Sequence, residues 1–234
     1  MKRNQSGFTL IEIAIVLVII GLLLGGILKG QELINSAKVK NLANDFKNIP
    51  VYIYGYQDKY KALPGDQNQN DLNANFGTGN ATACTPDQTP LHCNTHNGII
   101  DGGWDATAIT DESFVFWQAV RLAGFSAGST KTGDASYLPT NAVNGFIGVT
   151  NAAQSPVKID VANNLPGIKG TYIVCSNAIP GKFAKQLDVT LDDGNTQTGS
   201  MQVVPVGTPT SAPADAVATT AIVDDTTYLV CMGY

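Results

Sequence analysis

Residues 7–28 read GFTLIEIAIVLVIIGLLLGGIL, an apolar run interrupted by one acid, Glu12. Residues 13–28 carry no charge at all. About 20 predominantly apolar residues cross a bilayer core at roughly 1.5 Å rise per residue, so this run is long enough to span one. A carboxylate inside such a run costs roughly 2.5 to 3.5 kcal/mol on insertion scales. A segment that served only as an anchor would have no reason to keep it.

The piece before the run, MKRNQSG, is basic and polar and too short for a secretory signal, which is cut after its apolar region rather than before it. A cut between Gly7 and Phe8 would leave the apolar helix as the mature amino terminus. The new α-amine would sit on Phe8, with Glu12 one helical turn further on.

KRNQSG followed by FTLIE resembles the class III signal of type IV pilins and type II secretion pseudopilins. The resemblance implies that a membrane-embedded prepilin peptidase cuts after Gly7 and methylates the amine of Phe8. It matches Glu12 to the family's buried glutamate. The implied partners are further copies of the chain, other pilins, the peptidase and an inner-membrane assembly platform. Physically, a helix held in lipid can leave it only if another apolar surface takes the lipid's place. A bundle of identical helices supplies that surface, with close packing favoured at Gly21, Gly25 and Gly26. Within it Glu12 would neutralise the Phe8 amine of a neighbour, since methylation leaves that amine charged, and the pair would fix axial register. The alternatives within this reading are a surface pilus subunit, a secretion pseudopilin forming a short periplasmic piston, and a low-copy minor pilin or tip adhesin.

The same reading divides the chain into a leader (1–7), a membrane and assembly helix (8–28), an amphipathic continuation (29–62) and a globular head (63–234). Beyond Gly30, apolar residues recur at Val39, Leu42, Phe46, Ile49, Ile53, Tyr56, Tyr60 and Leu63, in steps of three and four. A helix over 9–60 would be about 78 Å long. Pro50 removes a backbone donor and predicts a kink, and Leu63-Pro64-Gly65-Asp66 predicts a stop.

Residues 64–108 read as irregular structure, rich in Gly, Asn, Asp, Thr and Pro. A short helix is predicted over 111–122, capped by Thr110 or Asp111 and stopped at Gly124, with Phe114, Trp117 and Val120 or Arg121 on its packing face. Strands are predicted at 145–150, 171–175, 201–206 and 226–231, and a second short helix over 182–191. The expected fold class is α+β: a long amino-terminal helix against an antiparallel sheet, which resembles the pilin architecture. LPGD at 63–66, FWQAVRLAG at 116–124 and LDDGNTQTGSMQ at 191–202 carry the resemblance into the head. The tract at 206–221 reads as an exposed loop, with surface O-glycosylation as the sharper alternative.

Charge is unevenly placed. Between Lys29 and Lys61 there are six Lys and three acids, whereas six basic and fifteen acidic residues follow Ala62. An acidic head argues against nucleic-acid binding, which depends on neutralising phosphates. Orientation draws conflicting signals. Lys2 and Arg3 precede the span, but Lys29, Lys38, Lys40 and Lys47 follow it, against a cytoplasmic amino terminus on the positive-inside count. The cysteines Cys84, Cys93, Cys175 and Cys231 all follow the span, which suits an oxidising compartment outside the inner membrane. The resemblance implies that orientation too: a single-pass precursor in the bacterial inner membrane, then an extracellular pilus or a periplasmic pseudopilus.

Other constellations are weaker. Gly124-Phe125-Ser126-Ala127-Gly128 fits the pattern of a hydrolase nucleophile elbow, but it follows a helix, and both histidines, His92 and His96, lie upstream. Cys84, His92, Cys93 and His96 match no zinc spacing. Four cysteines allow three connectivities; Cys84–Cys93 and Cys175–Cys231 are favoured, the second joining two predicted strands. The stretch from Asp66 to Asp71 opens like an EF-hand but lacks its glycine and closing glutamate. No catalytic residue and no cofactor are expected. Calcium remains the one ion to consider, because some pseudopilins bind it through head loops and Asp101, Asp105, Asp192 and Asp193 are loop acids.

Overall fold

The computed structural model describes residues 9–86, 92–159, 167–209 and 211–234. The chain divides into two compact units, Met1–Lys38 and Val39–Tyr234. Helix α1, Leu10–Tyr60, begins in the first and ends in the second. In the first unit nearly every described residue is exposed, including the large apolar side chains from Leu10 to Leu28.

In the second unit α1 buries the stripe read from the sequence: Val39, Leu42, Phe46, Ile49, Ile53 and Tyr56, together with Ala43 and Pro50. Tyr60, at the helix end, is half-buried and packs against Phe76, ring centroids 5.1 Å apart and planes tilted by 56°. Pro50 does not end the helix. A proline has no N–H to give the carbonyl four residues back, and its ring pushes that carbonyl outwards. The carbonyl is that of Phe46, and it accepts a 2.8 Å hydrogen bond from the hydroxyl of Tyr234, the last residue.

The sheet is antiparallel throughout, in the order β1-β2-β4-β3, with β1 Ile147–Asn151, β2 Tyr172–Pro180, β4 Thr227–Gly233 and β3 Met201–Pro205. One face packs Val149, Val174, Val203 and Val230 into a core shared with α1 and with helices α3 (Glu112–Leu122) and α4 (Gly181–Leu191). The other face buries Ile173, Cys175, Val204, Leu229 and Cys231 beneath Trp104, Val157, Ile168 and Ala216. Burial on both faces explains why these strands read as unbroken apolar runs rather than alternating ones. Cys175 and Cys231 face each other in register and are bridged, Cα to Cα 4.1 Å. A second bridge joins Cys84 to Cys93.

Three expectations need correction. The 64–108 region is not wholly irregular: α2, Gln69–Phe76, lies inside it. Asn68 caps this helix, accepting from the N–H groups of Asn70 at 2.9 Å and Asp71 at 3.0 Å. Only Leu72 of α2 is buried, so apolar periodicity carried no signal. Second, α3 has no single packing face, because every residue from Glu112 to Arg121 is buried. Third, neither Thr110 nor Asp111 caps α3 with its side chain: Asp111 holds the N-cap position without a side-chain bond to the helix, and Thr110 Oγ1 donates to Asp111 Oδ2. Arg121 does more than pack. Its guanidinium donates to the carbonyls of Ala127, Ser129 and Tyr137, at 3.2, 2.8 and 2.6 Å, and so holds the 127–137 loop.

Candidate functional site

The amino-terminal segment holds the residues that point to function. Gly7 and Phe8, the expected processing pair, lie outside the described residues. Glu12 is described, and its surroundings show a role the sequence reading missed. Thr9 Oγ1 accepts from the Glu12 N–H at 3.3 Å, while Glu12 Oε2 accepts from the Thr9 N–H at 2.8 Å and from its hydroxyl at 2.7 Å. This is a capping box, in which a threonine at the cap and a glutamate three residues on satisfy each other's backbone donors. The signal was legible as T-L-I-E just before the apolar run. A cut after Gly7 would leave the box intact, since the Thr9 nitrogen stays in a peptide bond. Both Thr9 bonds fall on Oε2.

Beyond the box, α1 contains a segment long and apolar enough to cross a membrane, none of it buried within the chain. A Cβ added at Gly21, Gly25, Gly26 or Gly30 would meet nothing within 4 Å. Each of these glycines costs the helix roughly 0.5–1 kcal/mol relative to alanine. Among the described residues, packing inside the chain offers nothing that offsets this cost, whereas a second helix in close approach would.

The head residues singled out from the sequence have other occupations. Ser126 follows α3 and its left-handed stop Gly124, and its hydroxyl donates to the Ala127 carbonyl at 3.3 Å. The depression that Ser126 lines is bordered by Asp45, Asn48, Tyr52 and Trp117 and holds no histidine among the described residues. Both thiols of the Cys84–His92–Cys93–His96 group are taken up by the disulfide. In the stretch resembling an EF-hand, Asn68 caps α2 and Asp66 accepts from the N–H groups of Asn97 at 3.1 Å and Gly98 at 2.9 Å. The LPGD motif therefore anchors the loop at 96–98. Its Gly65 has φ +94°, and a side chain there would press on the carbonyl of Glu112.

Glu112 is a strongly perturbed acid of the head. It is fully buried; Oε1 accepts from Asn94 N at 2.8 Å and Oε2 from Asp101 N at 2.9 Å. Burial pushes its carboxyl up to about 8, the two N–H donors pull the other way, and the nearby charges of Asp66 and Asp101 add to the rise. The loop acids do not gather as one set. Asp101 holds Asn97 and Asn151 through side-chain hydrogen bonds, Asp105 lines a cleft beside His92, and Asp192 and Asp193 lie with Asp188, which the sequence reading did not single out.

The family model described as the prokaryotic N-terminal methylation motif matches residues 2–28. The search of curated proteins and the search of solved structures both return no match. The chain thus carries the class III signal of type IV pilins and pseudopilins on an α+β, pilin-like fold, a long amino-terminal helix with a four-stranded antiparallel sheet. The motif marks it as a pilin-like or pseudopilin substrate of prepilin peptidase, and the signal with its apolar helix is consistent with inner-membrane anchoring of the precursor.

Proposed function

We propose that this protein is a structural subunit of a type IV pilus-like filament. The precursor sits in the inner membrane with its amino terminus in the cytoplasm, is cut between Gly7 and Phe8, is methylated on Phe8, and polymerises through its amino-terminal helix. The observation that carries this reading is the methylation motif at residues 2–28, whose apolar helical part is left exposed by the other described residues. Lipid covers that helix before assembly and sister helices cover it afterwards. The glycines that meet nothing inside the chain supply close-approach points. Glu12 then takes the Phe8 amine of a neighbour while Thr9 still holds Oε2, so capping and assembly use one carboxylate together. The chain acts as a building unit, not as a catalyst.

The test is to shear filaments from the cell surface, image them, and sequence the amino termini of their main protein by mass spectrometry. Abundant filaments starting at methylated Phe8 support the proposal. Processed protein confined to the envelope supports the secretion pseudopilin instead, and a trace at filament tips supports a minor pilin or adhesin. An intact Met1 in the assembled protein refutes processing altogether. Glu12→Ala should insert in the membrane normally yet yield no filaments; normal filaments from it would remove Glu12 from the assembly contact.

A further inference from the structure

The chain has two Asn-Gly pairs, Asn97–Gly98 and Asn144–Gly145, and the fold surrounds them differently. Asn97 and Gly98 lie exposed in the loop that the LPGD motif anchors. The Gly98 N–H donates to Asp66 Oδ2 at 2.9 Å, and the Asn97 N–H donates to Asp66 Oδ1 at 3.1 Å. The Asn97 side chain is held at both ends. Its Oδ1 accepts from the Ile99 N–H at 2.8 Å, and its Nδ2 donates to Asp101 Oδ2 at 2.7 Å. The first of these bonds folds the carboxamide back along its own following peptide. Gly98 has φ +77°, and a Cβ there would meet nothing within 4 Å, so no side chain crowds its nitrogen.

Asp66 and Asp101 are both buried. Burial raises both carboxyls; the N–H groups of Gly98, Asn97 and His96 pull Asp66 back, and the Asn97 side chain does so at Asp101. A carboxylate raised in this way is a stronger base than a surface one. Asn144–Gly145 supplies the contrast. There the Gly145 N–H donates to an amide oxygen, Asn141 Oδ1, at 2.8 Å, and an amide oxygen is a far weaker base.

We propose that Asn97–Gly98 is a self-modifying site, at which Asp66 acts as general base and the Asn97 side chain closes onto the Gly98 nitrogen to form a succinimide. Asp66 Oδ2 takes the proton of the Gly98 N–H as that nitrogen bonds to Asn97 Cγ. The Ile99 N–H donates to the oxygen on which charge develops. The Cγ–Nδ2 bond then breaks, and Nδ2 leaves as ammonia, the proton returning to it from Asp66 through water. Water reaches the exposed ring and opens it at either carbonyl, which gives aspartate or isoaspartate at position 97. The product sets a carboxylate against Asp101 where an amide donor stood, so the modification releases the loop from Asp101. The site lies apart from the amino-terminal motif and stands whether or not the chain forms filaments.

The experiment incubates the full chain in detergent micelles in warm neutral buffer and maps its peptides by mass spectrometry, with enzymatic methyl labelling to count isoaspartate. Conversion of Asn97 and Asn144 is timed in the folded chain and in the chain reduced and unfolded in urea. In the folded chain Asn97 should convert several-fold faster than Asn144, to a mixture of aspartate and isoaspartate, and faster than it does unfolded. Conversion already complete at Asn97 in freshly isolated protein, with Asn144 intact, supports the proposal equally. Asp66→Asn should slow Asn97 by roughly tenfold or more, with Trp104 and Trp117 fluorescence confirming that the variant is folded. If that substitution disturbs the head, the comparison within the parent still decides. Asn97 converting no faster than Asn144, or more slowly folded than unfolded, would show that the hydrogen bonds protect it and overturns the proposal. So does an unchanged rate in folded Asp66→Asn, or aspartate at position 97 without isoaspartate.

Discussion

Tyr234 and Pro50 are coupled through one carbonyl oxygen, and the coupling can be measured. Pro50 denies the Phe46 carbonyl its helical donor, and Tyr234 Oη donates to it at 2.8 Å. Phe46 is fully buried, so water is a poor substitute. Tyr234→Phe keeps the ring and removes the donor, which leaves a buried acceptor unsatisfied at a cost of about 1–3 kcal/mol. For a head of this size that lowers the melting temperature by roughly 2–4 °C per kcal/mol. In a Pro50→Ala background the restored backbone N–H at position 50 can return to the Phe46 carbonyl, so the same Tyr234→Phe change should cost about 1 kcal/mol less. The assay is a double-mutant cycle on the full chain in micelles, followed by fluorescence of the buried Trp104 and Trp117 during urea unfolding. An equal Tyr234→Phe cost in both backgrounds would refute the coupling, and no cost in the parent would refute the bond itself.

Three further outcomes are expected. Thr9→Ala removes the hydroxyl half of the capping box and should lose about 1 kcal/mol at the helix start, seen as roughly fivefold faster amide exchange over residues 10–13; unchanged exchange would show that the box holds nothing. Glu112 should make stability fall with rising pH: its carboxyl is raised from 4.5 to about 8 in the folded head, so its contribution is complete below about pH 4.5 and is lost on the way to pH 8, about 3 kcal/mol between pH 5 and 8. Glu112→Gln turns an amide towards one of two N–H donors and should be the less stable form at pH 5, with the gap closing by pH 8; parallel pH profiles for the two proteins would exclude this. Removing the Cys175–Cys231 bridge, which spans 56 residues, should destabilise by about 4 kcal/mol, against roughly 2.6 for Cys84–Cys93, which spans 9. Urea midpoints of the paired Cys→Ala variants would compare the two, and the opposite order would count against the loop-closure account.

The parts legible in the sequence were those written in periodicity. The α1 stripe repeats in steps of three and four because one face meets a core, and the strand runs are apolar because both faces of the sheet are covered. Polar geometry was harder to read. Helix α2 is held by Asn68, by its one buried side chain, Leu72, and by the packing of Phe76 against Tyr60, and none of these makes a pattern. For Arg121 and Glu112, only the folded loops show which carbonyls and N–H groups they serve. Asp188 is similar: four residues before Asp192 it falls one turn away, but its burial depends on the packing of α4.

Helix α1 obeys two rules along its length, and the change between them separates stability from assembly. From Val39 to Tyr56 most of its apolar residues keep to one face that is buried in the head, with Val51 and Tyr54 left exposed. From Leu10 to Leu28 the apolar residues occupy the whole circumference, and none of the described residues covers them. A helix apolar all round needs a surrounding that is also apolar all round, which is either lipid or a ring of other helices. Substitutions in the first stretch should therefore register in head unfolding, as Tyr234 and Pro50 do. Substitutions in the second, such as Gly25→Leu, should leave head unfolding unchanged and be felt only where chains meet.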